Sequence, residues 1–372
     1  MGQLYSHLVF RPPQFCTYQC TQGRIKYVVP DEDGLPSVHS TDLFWLQTAL
    51  NFRIPCAFIR RPQSQYVVIY AHTNAEDLGD SIVHAHIIAR TLNVDVIAFE
   101  YSGYGLSERP PRRLFAHTNP RPGRRVHPSL SVHARKRAEP SEKAVCADIL
   151  AVYAYLTESC NVAPENILIF GRSIGSGPAV YCAVTRPIRG LVLIAPIASA
   201  VRVPLKRLNV TLPFIDTFPN IDRAAKIECP VLVIHGDIDD IVPKLHGEKL
   251  FRKLNRKGCA VNPLWIPNAR HNNVVEDFSS LVFGRYLTFL DELKLMPLSS
   301  SPSHSCSHQH FHSDALPTYP YDDACTTSSP TSNDLSFHMS SRRTAYYHSQ
   351  CLKRAAQSSF GSHPQLSIFT NP

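Results

Sequence analysis

Ile167-Leu168-Ile169-Phe170-Gly171-Arg172-Ser173-Ile174-Gly175 decides the fold of this chain. Four apolar residues followed by G-x-S-x-G, and then by the small residues Ser176 and Gly177, read as a strand that turns abruptly into a helix. The flanking glycines have a physical task there, because a side chain at either position would crowd the reversal. The serine is left at the tip, and Ser173 is the candidate nucleophile.

A glycine-rich turn in an ordinary strand–helix unit would read the same way, so partners must decide. A serine of this kind needs an acid after a later strand and a histidine later still. Pro230-Val231-Leu232-Val233-Ile234 reads as a buried parallel strand, and it runs into His235-Gly236-Asp237-Ile238-Asp239-Asp240. Asp239 is the expected acid, with Asp237 and Asp240 as competitors, since an acidic cluster after a strand often caps the next helix. The strand-like Leu264-Trp265-Ile266 leads to Asn268-Ala269-Arg270-His271, which puts His271 on a loop at a strand end. His271 is the expected base: neutral serine is a weak nucleophile and needs a neighbour to take its proton. The oxyanion that forms needs two N–H donors. Ile174, next to the serine, supplies one, and Asn74, in the loop after the strand Tyr66–Tyr70, is expected to supply the other.

Around these motifs, strand and helix patterns alternate. Strands are expected near Leu43 to Leu50, Pro55 to Arg60, Tyr66 to Ala71, Val94 to Tyr101, Ile167 to Phe170, Leu191 to Ala195, Val231 to His235 and Leu264 to Ile266. Helices are expected over Asp77 to Leu92, Ser141 to Ser159, Ser176 to Thr185, Leu245 to Leu254 and Val274 to Leu293. The fold class is therefore α/β: a mostly parallel eight-stranded sheet with helices on both faces and a short cap between Ser199 and Asp222. Three domains of sequence follow: an N-terminal membrane-anchoring segment, 1–23; the folded domain, 24–296; and a Ser/His/Pro-rich tail expected to be disordered, 297–372.

The chain has 372 residues and a formal net charge of +8, unevenly placed. Residues 109–140 form a basic, proline-rich insertion with no acid between Arg109 and Arg137, and disorder is expected there. Such a stretch is attracted to anionic lipid headgroups. Nucleic acid is not expected as a partner, because aromatic stacking residues are almost absent from it. No apolar run reaches transmembrane length, and no secretory leader pattern opens the chain, so a cytosolic protein with free thiols is expected. The 11 cysteines show no paired metal spacing, and His304, His308, His310 and His312 lie in the polar tail. No metal or other cofactor is expected. Met1-Gly2-Gln3-Leu4-Tyr5-Ser6 fits the N-myristoylation pattern at Gly2, and Cys16 and Cys20 are candidate palmitoylation sites that would add the second signal stable anchoring requires.

Seven stretches carry a resemblance: LVFRPP near the start, HTNAEDLG (72–79), YSGYGLS (101–107), FGRSIGSGP (170–178), FPNID (218–222), PVLVIHGDIDDIV (230–242) and PLWIPNARHN (263–272). Through them the chain resembles the α/β-hydrolase-domain protein 17 family, membrane-anchored serine hydrolases that remove palmitate from protein cysteines. The resemblance implies Ser173 as nucleophile, Asp239 as acid and His271 as base, with S-palmitoylated proteins at the cytosolic side of membranes as substrates. Arg172 and Arg270 stand where that family usually has Gln and Gly, and its N-terminal cysteine cluster is missing. The alternatives are a carboxylesterase or lipase using the same three residues, and a membrane scaffold with a degenerate site.

Overall fold

The computed structural model describes residues 9–30, 36–108, 139–200 and 216–296, with backbone alone for 28–30 and 36–40. Gly2, the basic insertion over 109–138, residues 201–215 of the cap stretch and the tail from 297 lie outside the described residues.

Eight strands form the central sheet: β4 (Phe44–Gln47), β5 (Arg53–Ile59), β6 (Val67–Ala71), β7 (Asp95–Phe99), β8 (Ile167–Arg172), β9 (Gly190–Ile194), β10 (Val231–Gly236) and β11 (Leu264–Ile266). Their order across the sheet is β11-β10-β9-β8-β6-β7-β5-β4. β4–β5 and β5–β7 are antiparallel, and every other pairing is parallel. This is the α/β-hydrolase topology, and all eight strands fall where the hydropathy pattern places them.

Parallel strands are buried on both faces, and the side-chain alternation divides them between two cores. Val67, Ile69 and Ala71 of β6 join Ile167, Ile169, Leu191, Leu193, Val231 and Val233 on one face. There α2 (Glu142–Ala154), α3 (Ser176–Thr185) and α5 (Leu245–Lys257) cover them. Val68 and Tyr70 join Leu168, Phe170, Val192, Ile194, Leu232 and Ile234 on the other, under α1 (Leu78–Leu92) and α6 (Ser279–Leu295). Each fully buried Val, Leu, Ile or Phe among them contributes roughly 1.5–3 kcal/mol on burial. The one-turn helix α4 (Asn220–Arg223) closes the cap stretch, with Phe218 packed fully buried over Gly177.

The helix ends follow the sequence. Asp77 caps α1 by accepting from the N–H groups of Gly79 and Asp80, and Asn93 ends it in the left-handed region. Ser141 caps α2, and Gly258 terminates α5.

Two departures from the expected elements matter. First, residues preceding the sheet form an additional antiparallel sheet of β1 (Tyr18–Thr21), β2 (Arg24–Pro30) and β3 (Pro36–Asp42). Its first hairpin turns at Gln22 and Gly23, both with positive φ, the geometry of a type I′ turn. The boundary expected after residue 23 runs through this hairpin, so residues 18–23 belong structurally to the folded unit. Second, α6 begins at Ser279 rather than Val274; residues 271–278 are turns, held by Asn273, whose Oδ1 accepts from the Arg270 N–H at 2.7 Å and whose Nδ2 donates to Asp277 at 2.8 Å.

Asp148 of α2 is completely buried and accepts from both the Ser102 N–H (2.7 Å) and the Ser102 hydroxyl (2.6 Å), fastening the turn after β7. Burial outweighs those two bonds and pushes its carboxyl up to about 7. Between about pH 4 and 7 the folded protein therefore holds a proton that the unfolded chain, near 3.9, has released, so this group's contribution to stability declines as pH rises through that window. Asp148→Asn keeps both Ser102 contacts without the titration. The expected outcome is that the stability advantage of wild type over this variant, measured by urea unfolding, shrinks from pH 4.5 to pH 7.5.

Candidate active site

β8 ends at Arg172, and the chain turns through Ser173–Gly175 into α3. Ser173 has φ 53°, a left-handed conformation that non-glycine residues adopt only when surroundings enforce it. Those surroundings are tight. A Cβ on Gly175 would lie 2.2 Å from the Ala71 carbonyl oxygen, and one on Gly171 would lie 2.7 Å from both the Ala179 Cβ and the Gly175 oxygen. The elbow thus presses directly on the end of β6, which puts the following loop, residues 72–77, beside Ser173. The Ser176 hydroxyl donates to the Ser173 carbonyl at 2.6 Å and accepts from the Ile197 N–H and from Asn220 Nδ2, the latter also bonded to the Ile197 carbonyl. This explains the FPNID stretch physically: Phe218 seals Gly177, and buried Asn220 ties the cap to the elbow.

His271, 98 residues further along the chain, places Nε2 2.9 Å from the Ser173 hydroxyl. Its Nδ1 lies 2.8 Å from Asp239 Oδ2. The three side chains named from the sequence therefore form one continuous hydrogen-bonded line, at the carboxyl ends of β8, β10 and β11. Asp239 Oδ1 accepts from the N–H groups of Ile241 (3.0 Å) and Val242 (2.7 Å). Burial pushes the Asp239 carboxyl up, but hydrogen bonds from His235 and His271 outweigh it and hold the group well below the usual carboxylate range. Its two competitors are engaged elsewhere: Asp237 accepts from the Asn268 N–H at 2.7 Å, and Asp240 lies 3.7 Å from Arg270 with both side chains exposed.

His235 enters this line unannounced by the sequence reading. It is fully buried at the end of β10, with Nε2 2.8 Å from the Val242 carbonyl and 3.2 Å from Asp239 Oδ2. One N–H shared between these oxygens fixes the loop that carries Asp239. The signal was the His-Gly pair before the acid, which a strand-end reading treats as punctuation.

The loop after β6 is braced from two sides. Asn74 Nδ2 donates to the Val9 carbonyl at 2.7 Å, and its Oδ1 accepts from the Arg11 N–H at 2.8 Å and the Tyr104 hydroxyl at 2.6 Å. The Asn74 side chain is thus fully committed to bracing this loop. His72 stacks on Tyr101 with ring centroids 3.9 Å apart, and the Tyr101 hydroxyl donates to the His72 carbonyl at 2.8 Å. The YSGYGLS stretch is thus a buttress for this loop. Ile174 is buried directly after Ser173. Cys20 is exposed on β1 and Cys16 partly so. Among the described residues no cluster of His, Cys, Asp and Glu is arranged to hold a metal ion.

Chemically, an imidazole between a hydroxyl and an ionised carboxylate can take a proton from oxygen and return it. Asp239→Asn turns an amide N–H₂ toward groups that are themselves donors. The expected outcome is a fall of about 10⁴-fold in kcat on a soluble ester, with the circular dichroism of the fold retained.

Residues 212–294 match the model of the prolyl oligopeptidase family. An esterase of Pyrococcus furiosus superposes with a TM-score of 0.50 at 17% identity, over 68% of this chain and 92% of that one, which shows a shared fold. The chain is 29% identical over 296 residues to the alpha/beta hydrolase domain-containing protein aho-3 of Caenorhabditis elegans, covering 78% of each. To human alpha/beta hydrolase domain-containing protein 17B it is 30% identical over 299 residues, 78% of this chain and 90% of that protein. An elbow, a braced β6 loop and an FPNID tie, in a chain aligned over nine-tenths of such a relative, have one consistent assignment: this chain belongs to the alpha/beta hydrolase domain-containing protein 17 family.

Proposed function

We propose that the protein is a serine hydrolase that removes palmitate from S-acylated proteins at the cytosolic side of membranes. The observation that carries this reading is the 2.9 Å approach of His271 Nε2 to the Ser173 hydroxyl, backed by Asp239 at 2.8 Å. The Ser173 oxygen attacks the thioester carbonyl while His271 accepts its proton, and Asp239 stabilises the imidazolium that results. The backbone N–H groups of Ile174 and Asn74 receive the oxyanion. Collapse expels the cysteine sulfur, protonated by His271, and leaves the fatty acyl group on Ser173. Water, activated by the same imidazole, then releases the acid and restores the serine.

Two features favour a lipid-like acyl group on a membrane-bound protein. Ile238, Ile241 and Leu245, flanking Asp239 and opening α5, are 47%, 46% and 42% exposed, so apolar surface surrounds the acid-bearing loop. Gly2, Cys16 and Cys20 would supply lipid anchors, and the basic stretch over 109–137 would add attraction to anionic headgroups. Among the described residues no helix is long and apolar enough to cross a membrane, so anchoring in this reading is peripheral.

A fluorophosphonate probe is expected to label wild type and not Ser173→Ala; equal labelling of both removes Ser173 from the chemistry, and no labelling of wild type favours the scaffold reading. On a palmitoylated cysteine peptide, kcat/KM should exceed that on a simple lipid ester, and the reverse order would make the enzyme a carboxylesterase or lipase. Gly2→Ala is expected to move the protein from the membrane to the soluble fraction of fractionated cells. Unchanged partition would dismiss the myristoyl anchor.

A further inference from the structure

Beside the proton-relaying line lies a buried ionic cluster that the reaction above does not use. Arg172, the residue before Ser173, is 4% exposed. Its side chain leaves the elbow on the α6 side of the sheet, where it meets Glu276 in a fork: Nη1 to Oε1 at 2.7 Å and Nη2 to Oε2 at 3.1 Å. Glu76 approaches the same Nη1 at 3.9 Å. Glu76 in turn accepts from the Thr73 N–H at 3.3 Å and lies 3.7 Å from His84 Nε2 of α1. Burial works against charge on all three groups, yet attraction prevails: the two glutamates keep Arg172 protonated, Arg172 holds Glu276 below its ordinary value, and His84 together with Arg172 holds Glu76 below its own.

Each partner sits on a different loop. Arg172 is the elbow itself, Glu276 lies in the turns between His271 and α6, and Glu76 lies in the loop that carries Asn74. We propose that Arg172 is the positioning residue of this site: one guanidinium ties the nucleophile elbow, the histidine-bearing turns and the oxyanion loop into a single register. A planar fork is required for this, because its donors engage one carboxylate bidentately while the same edge reaches a second. The inference rests on the serine-hydrolase reading and adds a residue to it. It also accounts for the shape of the 271–278 segment: with Glu276 drawn inward to the guanidinium, the helix expected from Val274 starts only at Ser279.

The charges nearby give the test a readout that structural loosening alone would not produce. His271 faces Asp239 and Ser173, with His235 behind Asp239, and its own loop carries Arg270 paired with Asp240. The cluster adds Arg172, Glu276, Glu76 and His84, with the Tyr70 and Tyr286 hydroxyls in its electrostatic surroundings. Removing the Arg172 charge leaves the glutamates in excess, which favours imidazolium; removing the Glu276 charge does the opposite.

The experiment measures kcat and KM of the full chain on p-nitrophenyl butyrate from pH 5 to 9 for wild type, Arg172→Gln, Arg172→Lys, Glu276→Gln and the Arg172→Gln/Glu276→Gln pair. Arg172→Gln and Glu276→Gln should each lower kcat about 10- to 100-fold, the cost of slight misplacement of reacting groups, with little change in KM. The acid limb of the kcat profile should move up in Arg172→Gln and down in Glu276→Gln. The pair should be no worse than the poorer single variant, and Arg172→Lys, which keeps the charge without the fork, should fall between. Single variants that fold and retain wild-type kcat, or that shift the acid limb in the same direction, would overturn the proposal. Should Arg172→Gln fail to fold, Glu276→Gln and Glu76→Gln carry the same test of kcat and limb direction. A wild type that does not turn over the ester fails the hydrolase reading instead, which keeps the two failures distinct.

Discussion

A hydrogen bond of 2.9 Å between two groups 98 residues apart in sequence, the Ser173 hydroxyl and the His271 imidazole, is the contact for which the surrounding structure is organised. Local sequence cannot make such a contact. It exists because β8 and β11 run parallel in one sheet, so the loops that leave their carboxyl ends emerge on the same edge. β10 lies between β9 and β11 and delivers Asp239 to that edge as well. The two hydrophobic cores hold the strands in register, and the register holds the three side chains.

The site has little freedom to relax. Ser173 is held at positive φ by a turn whose glycines touch neighbouring backbone, so its strain is balanced by packing around it. Asp239 receives donors from two backbone N–H groups and from two imidazoles, which keeps it ionised and fixed. The N-terminal residues through the start of β1 contribute too: Val9 and Arg11 hold the Asn74 side chain, the Thr17 N–H donates to Asp77 at 2.7 Å, and the Tyr18 hydroxyl donates to Glu100 at 2.9 Å. The stretch expected to anchor the chain thus braces the β6 loop.

What the sequence made legible follows a physical division. The central strands are short apolar runs with abrupt polar ends, and period and length suffice to find them. Ser173, Asp239 and His271 were found because their order along the chain constrains them as strongly as their type does. The β1–β3 sheet escaped because its turn is Gln22-Gly23, a weaker hairpin signal than Asn-Gly, and the edges of its strands carry Arg, Lys and His. The late start of α6 and the contacts of His235, Arg172 and Glu276 escaped for another reason. Each depends on a partner brought close only by the sheet: Arg172 and Glu276 are 104 residues apart. In the sequence Arg172 shows only as a departure from the family's usual Gln; its carboxylate partner appears only in the folded chain.

The central claim is that this proton-relaying line makes the Ser173 oxygen the nucleophile that takes up the acyl group. The most direct measurement is rapid acid quench of the enzyme turning over a palmitoylated cysteine peptide, followed by proteolysis and mass spectrometry of the peptide spanning Phe170–Pro178. The account predicts a transient palmitoyl mass on Ser173 that decays as free palmitate appears. Turnover with that peptide unmodified at every quench time, or with the acyl mass on another residue, would contradict it.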